Sequence, residues 1–218
     1  MTIDYAKARE TMVEQQVRPW EVFDPRVLDV LARLPREHFV GESHRTLAYS
    51  DLALPIGHGR SMLKPVLEGR ALQALMVDAG DEVLEIGTGS GYLTACLASL
   101  GRDVLSLEQH ADLADAARAR LSRLGIGNVR IETADAMRWN DKRRFDVICV
   151  GAAVAQIPER FTQWLRPGGR MFIVHGHAPA MEAALVRRID ETTVVTESLF
   201  ETELPYLAGA APTARFEL

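Results

Sequence analysis

The sequence predicts an α/β fold in which a mostly parallel β-sheet lies between layers of helices. Two observations predict it: short apolar stretches alternate with helix-like stretches from residue 65 onward, and the first such strand is joined to its helix by a glycine-rich turn. At 218 residues, with 47% hydrophobic and 25% charged residues, the chain is long enough for one domain with a substantial core. We therefore expect a single globular domain.

The strand, turn and helix around residue 87 are the centre of this prediction. The run Val83–Ile86 is apolar except for Glu85, and Leu93–Leu100 has the composition of a buried helix. Three glycines at alternate positions lie between them: Gly87, Gly89 and Gly91. Glycines allow a tight turn and let a ligand approach bare N–H groups, and the helix start behind them favours an anionic group. The turn Gly87, Thr88, Gly89, Ser90, Gly91 is therefore a candidate ligand site.

The spacing of the turn restricts the ligand. In a dinucleotide fingerprint, Gly-x-Gly-x-x-Gly, the last glycine would stand where this chain has Tyr92. Glu85, two residues before the first glycine, would repel a pyrophosphate but suits a ligand that carries an ammonium group. S-adenosylmethionine has both an ammonium and a carboxylate group and fits better. The alternative is that the turn is only a tight structural connection.

Acidic residues follow the next two strands. Glu108 stands at the carboxyl end of the strand 102–107, where an acid can accept hydrogen bonds from two ribose hydroxyls, and Gln109 follows it. Asp135 with Ala136 follows the third strand, and its carboxylate could take the exocyclic amine of adenine. The alternatives are a solvated acid at Glu108 and a helix-capping or loop acid at Asp135.

Other elements are predicted from periodicity and from start and stop residues. Asp24-Pro25 is a helix start, followed by an apolar stripe at helical spacing. Residues 181–190 and 193–202 are predicted as two strands, with a helix over 181–186 as the alternative. The remaining predictions are helices over 5–17, 65–78, 111–124 and 158–165, strands over 129–131, 145–150 and 170–174, and loop or short extended pieces over 45–59.

Several segments together carry a family resemblance. They are Leu34–Val40, Ala48–Asp51, Leu54–Gly59, Leu84–Tyr92, Gly151–Ala153, Ile157-Pro158, Arg166–Gly169 and Leu204–Leu207. With Glu108 and Asp135, they make the chain similar to class I S-adenosylmethionine-dependent methyltransferases, and within these to the protein-L-isoaspartate O-methyltransferase family. The resemblance covers nearly the whole chain from about Met12 onward.

The resemblance implies an architecture and an activity. The fold would be a Rossmann-like three-layer sandwich, with a mostly parallel seven-stranded sheet, an antiparallel C-terminal hairpin and an N-terminal helical extension. Residues 1–64 would be the extension and substrate cap, and residues 65–218 the cofactor-binding core. The activity would be methyl esterification of isoaspartyl carboxylates in damaged proteins or peptides, with S-adenosylmethionine as cofactor.

One segment departs from the family. There, Leu-Pro-Ile-Gly is followed by Gly-x-Thr-Ile-Ser-x-Pro, and the serine is taken to help hold the reacting carboxylate or the cofactor. In the run Gly59–Pro65 of this chain, Ser61 takes the threonine place and Leu63 the serine place. An isobutyl group can neither donate nor accept a hydrogen bond. Ser61 or Lys64 could substitute, although Ser61 also suits a turn and Lys64 a solvated helix start.

Three functions remain open from the sequence. The first is isoaspartyl methylation, the second is methylation of a different acceptor such as a small molecule, and the third is non-catalytic cofactor binding. His58, between two glycines, is the best histidine candidate for a polar contact to substrate. The histidine spacing and the lack of a Cys/His cluster predict no metal.

Charge and hydropathy restrict the partners. The formal net charge is −5 and the longest basic run is 142–144, so we expect no nucleic-acid partner and no anionic membrane surface. No apolar stretch approaches the length of a membrane span, and the N-terminus lacks an apolar signal core. With Cys96 and Cys149 both in apolar segments, we expect a cytoplasmic protein whose cysteines are small core residues.

Overall fold

The computed structural model describes residues 3–212 as a seven-stranded sheet flanked by helices, with a separate two-stranded hairpin. The strands are β1 (Leu54–Gly57), β2 (Arg60–Met62), β3 (Glu82–Ile86), β4 (Asp103–Glu108), β5 (Val129–Thr133), β6 (Phe145–Val154), β7 (Leu165–His177), β8 (Ala180–Arg188) and β9 (Val194–Thr202). The α-helices are α1 (Tyr5–Met12), α2 (Pro25–Arg33), α3 (Pro65–Leu75), α4 (Tyr92–Leu100), α5 (Ala111–Arg123) and α6 (Glu159–Gln163).

The strand order in the sheet is β5-β4-β3-β6-β7-β8-β9. The first five strands in this order are parallel, and β8 and β9 continue the sheet in antiparallel register. This confirms the predicted mostly parallel sheet and its C-terminal hairpin, and it excludes the alternative helix over 181–186. Parallel strands bring their carboxyl ends to one edge, so the segments after β3, β4, β5 and β6 meet there.

The turn after β3 depends on glycine for two reasons. Gly87, Gly89 and Gly91 all have positive φ angles, which residues with a side chain rarely adopt. At Gly91, a Cβ atom would also lie 3.1 Å from the Cβ of Ala117 on α5. The turn is therefore packed directly on α5, and α4 begins immediately after it.

The two faces of the sheet have different cores. The larger core contains residues of α1 to α5 and the N-terminal segment, together with the free, buried Cys96 and Cys149. The other face is covered by the short α6 and by loops, through an aromatic group in which Trp164 packs against Trp139 and Phe161. The result is a three-layer arrangement that is thicker on one side.

The N-terminal segment packs closely on α3. A Cβ atom at Gly69 would lie 2.7 Å from Cγ1 of Val17, so only glycine permits this approach. Arg36 is fully buried and forms an ion pair with Glu68 of α3. Burial raises the pKa of Glu68 to about 7, although the adjacent guanidinium acts in the opposite direction.

One predicted helix ends early in the structure, and another changes its helix type along its length. The helix predicted to Asp78 ends at Leu75, where Met76 takes a left-handed conformation. Arg170 of β7 explains the early end, because its guanidinium donates to the carbonyls of Leu75 and Met76, both at 2.6 Å. The predicted helix over 5–17 is α1 followed by a π-helical turn, Val13–Val17. Within residues 3–212, no helix combines the length and apolarity needed to span a bilayer.

Candidate active site

A cleft opens at the carboxyl edge of the parallel strands. Its lining comes from the β1–β2 hairpin and from the ends of β3, β4, β5 and β6. The lining residues are Ile56, Arg60, Ser61, Leu63, Ile86, Gly87, Gly89, Leu107, Glu108, Gln109, His110, Leu113, Ala134, Asp135, Ala136, Gly151, Ala152, Pro205, Leu207 and Ala208. In open α/β sheets this edge is where nucleotide-like ligands bind.

The Glu108 carboxylate is held at the cleft by two backbone hydrogen bonds. One carboxylate oxygen, Oε2, accepts the Gly89 N–H at 2.9 Å, and Oε1 accepts the His110 N–H at 3.0 Å. An ionised carboxylate offers about four lone-pair sites, so about two are still free. The geometry thus holds the carboxylate rigidly and leaves one acceptor position on each oxygen for a pair of neighbouring hydroxyls.

Asp135 lies across the cleft from the glycine turn, on the segment after β5. Its Oδ1 accepts the Met137 N–H at 2.9 Å, and its Oδ2 is 3.7 Å from Nε of the exposed Arg138. Asp135 therefore serves as a loop cap and also presents a carboxylate oxygen at the cleft. Beside it, the small and buried Ala136 also belongs to the cleft lining.

Glu85 lies beneath the glycine turn and not in the cleft lining. It is fully buried, and its Oε2 accepts hydrogen bonds of 2.5 Å from the hydroxyls of Thr94 and Ser106. Burial raises the pKa of Glu85 to about 8; the two hydroxyls lower it and the carboxylate of Glu108 raises it further. Its Oε1 has no hydrogen-bond partner in the described structure, so it is a buried acceptor available to a donor at the turn.

Three other residues of the predicted site build the turn without lining the cleft. The Thr88 hydroxyl is 2.5 Å from that of Ser106, and the Ser90 hydroxyl accepts the Tyr92 N–H at 3.2 Å. Gly91 supplies the left-handed N-cap of α4. The sequence pattern marks the whole turn, but only Gly87 and Gly89 of it line the cleft.

His58 occupies a position that its sequence context does not predict. Its ring stacks on that of His110 with centroids 3.9 Å apart, and its Nε2 lies 2.9 Å from Oδ2 of Asp112. The hydrogen bond from His58 lowers the pKa of Asp112. His58 lies outside the cleft lining, whereas His110 belongs to it. The expected contact of His58 with substrate therefore has no support in this geometry.

A second cavity adjoins the first. The two share three lining residues: Ser61, Leu63 and Pro205. Leu63 is partly buried and packs on the larger core, and its carbonyl accepts a hydrogen bond from the guanidinium of Arg36. That guanidinium also lies 4.7 Å from the ring centre of Tyr92. The wall between the cavities is therefore fixed in place by a buried arginine.

The sequence pattern gave no role to two residues that organise this wall. Arg60 donates to the Tyr206 carbonyl at 2.7 Å and so joins the β1–β2 hairpin to the C-terminal segment. Arg36 lies in a segment that marks the family resemblance, but only the fold shows that its charge is buried. In the described residues, no group of three or more His, Cys, Asp or Glu side chains has the arrangement of a metal site.

A glycine turn and an anchored acid at the carboxyl edge of a parallel sheet are the features expected of the nucleoside cleft of an S-adenosylmethionine-dependent methyltransferase. Comparison with known proteins narrows this class. The family described as protein-L-isoaspartate(D-aspartate) O-methyltransferase matches residues 7–206. The chain belongs to this family, and its fold class and cofactor are those of the family.

Individual relatives agree. Protein-L-isoaspartate O-methyltransferase 1 of Rhodopseudomonas palustris (strain HaA2) is 41% identical over 207 residues, which cover 94% of this chain and 84% of the relative. The enzyme of Magnetococcus marinus is 47% identical over 156 residues, 71% of this chain and 68% of the relative. A Plasmodium falciparum crystal structure, described as a putative member of the family in complex with S-adenosyl-L-homocysteine, has a TM-score of 0.81 at 21% identity. The match covers 94% of this chain and 99% of that structure's chain, and it supports the fold.

Proposed function

We propose that this chain transfers the methyl group of S-adenosylmethionine to the free carboxylate of isoaspartyl residues in proteins and peptides. The observation that carries the proposal is the pair of adjoining cavities with Ser61, Leu63 and Pro205 as their common wall. A methyl donor in the first cavity and an acceptor in the second would meet at this wall.

The residues present fit the cofactor. The free acceptor positions of Glu108 suit two ribose hydroxyls, and the cleft-facing oxygen of Asp135 suits the adenine amine. The unpartnered Oε1 of Glu85 suits a donor from the ammonium group at the glycine turn, reached directly or through water. When bound, the cofactor supplies an electrophilic sulfonium methyl group.

The acceptor needs no general base. An α-carboxyl group has a pKa of about 3.5 when unperturbed, so it is already ionised at neutral pH. The protein then has to align the carboxylate with the methyl group and exclude water, which can contribute roughly 7–11 kcal/mol. The apolar side chain of Leu63 and the ring of Pro205 serve the second purpose.

Leu63 also weakens one part of this machinery. The family serine would give a hydrogen bond to a charged partner, worth about 1.5–3 kcal/mol, or one to two powers of ten in rate if it forms in the transition state. Leu63 is therefore the specific observation that favours a second candidate, methylation of a different acceptor such as a small molecule. We propose that residues 1–64, through the β1–β2 hairpin, cover the acceptor side in either case.

The test uses matched peptides. Calorimetry with S-adenosylmethionine and S-adenosylhomocysteine should detect binding, and radiolabelled methyl transfer should occur to an isoaspartyl peptide but not to its aspartyl isomer. If the cofactor binds and no transfer occurs at high enzyme concentration, isoaspartyl methylation is removed as the function. A screen of small carboxylates with the same cofactor then tests the second candidate.

A further inference from the structure

Lys64 stands directly after Leu63 in the chain. It is the last residue before α3, its own side chain makes no capping hydrogen bond, and it is exposed. It lines the second cavity but not the nucleoside cleft. The side chain next to the missing family serine is thus a cation on the acceptor side of the wall.

The second cavity has one other cationic side chain in its lining, Arg70, and that group is already engaged. One of its nitrogens donates to the Trp20 carbonyl at 3.0 Å and to Oε2 of Glu21 at 2.8 Å. Its guanidinium carbon lies 4.4 Å from the ring centre of Phe200. Lys64, in contrast, has no ion pair with any residue between 3 and 212. Its ammonium group is the cation available to an anion in this cavity.

Three acids line the same cavity as Lys64. Asp51 is held at the start of α3, where its Oδ1 accepts the Val66 N–H at 3.2 Å. Glu201 and Glu203, on the segment that ends β9 and follows it, also line the cavity. An acceptor carboxylate is repelled by all three acids, so it needs a cation to hold it in this cavity, and Lys64 supplies that charge beside Leu63.

We propose that Lys64 binds and orients the acceptor carboxylate, replacing the hydrogen bond that the family serine would give. This role rests on the proposed function and adds to it a specificity-determining residue outside the family pattern. An ammonium group offers three donors and a full charge, but it does not fix direction as a hydroxyl on a rigid loop does. The exchange of the serine hydroxyl for the Lys64 ammonium group therefore keeps acceptor binding and relaxes the required geometry of the acceptor.

The test compares Lys64→Met, Lys64→Arg and a control, Lys142→Met, in an exposed loop that does not line the cavity. Steady-state transfer to an isoaspartyl peptide should show a KM raised about tenfold in Lys64→Met, from the lost charge-assisted contact. Lys64→Arg should restore KM to within about threefold because the charge is kept. The Kd for S-adenosylhomocysteine should stay unchanged in all three, since Lys64 does not line the nucleoside cleft.

A second readout separates charge recognition from packing. A peptide in which the isoaspartyl carboxylate is an amide should inhibit competitively, with the same Ki for the unsubstituted protein and for Lys64→Met. A KM for Lys64→Met within twofold of the unsubstituted value overturns the role of Lys64 and leaves the proposed function standing. If the unsubstituted protein binds cofactor but neither binds nor methylates the isoaspartyl peptide, the proposed function fails, and the role of Lys64 fails with it.

Discussion

Replacing Glu108 with glutamine tests the nucleoside cleft with almost no change in shape. The carboxylate uses one lone pair on each oxygen for the N–H groups of Gly89 and His110, at 2.9 and 3.0 Å, and keeps one on each for a ligand hydroxyl. A glutamine amide has one acceptor oxygen and an NH2 group that would face a backbone donor. At least one ribose hydroxyl then loses a charged acceptor, and one backbone N–H loses its partner.

Glu108→Gln should weaken the binding of S-adenosylhomocysteine strongly. Loss of a hydrogen bond to a charged group costs about 1.5–3 kcal/mol, and with the disturbed N–H contact we expect about 3 kcal/mol, or a roughly 100-fold higher Kd. Isothermal titration with S-adenosylhomocysteine measures it. The control is Glu197→Gln on β9, which removes an exposed ion-pair partner of Arg187. It should leave the Kd unchanged. A Kd for folded Glu108→Gln within threefold of the unsubstituted value would refute the assignment of the ribose position.

Three further substitutions test other parts of the structure. Leu63→Ser should raise methyl transfer to an isoaspartyl peptide about tenfold, and an unchanged rate would mean that Leu63 does not limit that reaction. Glu68→Ala leaves the Arg36 charge buried without its partner and should cost roughly 3–5 kcal/mol in chemical denaturation, whereas Glu10→Ala, in an exposed pair with Lys7, should cost under about 1 kcal/mol. Because the folded protein binds the Glu85 proton more tightly than the unfolded chain, with a pKa of about 8 against 4.5, stability should fall as pH rises between these values. Glu85→Gln should therefore raise the Tm of the ligand-free protein at pH 8.5 but not at pH 4, and an equal effect at both would contradict the buried charge.

Local pattern was sufficient to predict a mostly parallel sheet, because apolar runs alternate with helix-like stretches, whereas the seven strands and the antiparallel hairpin were expected from the family resemblance. The apolar runs at β3 and β6, the glycine turn and the acid after β4 are all short-range signals, and the confirmed sheet places Glu108 and Asp135 in one cleft. The acids that follow parallel strands converge there without any long-range information.

What sequence reasoning missed depends on contacts between distant residues. The pairing of His58 with Asp112 joins positions 54 residues apart, and no local feature predicts it. The early end of α3 depends on Arg170, which reaches it from a strand 95 residues later. Glu85 has the spacing of a ligand-facing acid, but the hydroxyls of Thr94 and Ser106 draw it beneath the turn.

The guanidinium of Arg36 joins its own N-terminal segment to two later parts of the chain: the stretch from the Leu63 carbonyl to Glu68 of α3, and the Tyr92 ring at the start of α4. A cut after residue 64 would remove this side chain together with the N-terminal packing that buries α3, and would open Glu68 and the apolar face around it to water. The helices and strands after residue 64 are for this reason not a detachable module. The segment before them is a structural part of the wall between the two cavities, through one buried arginine.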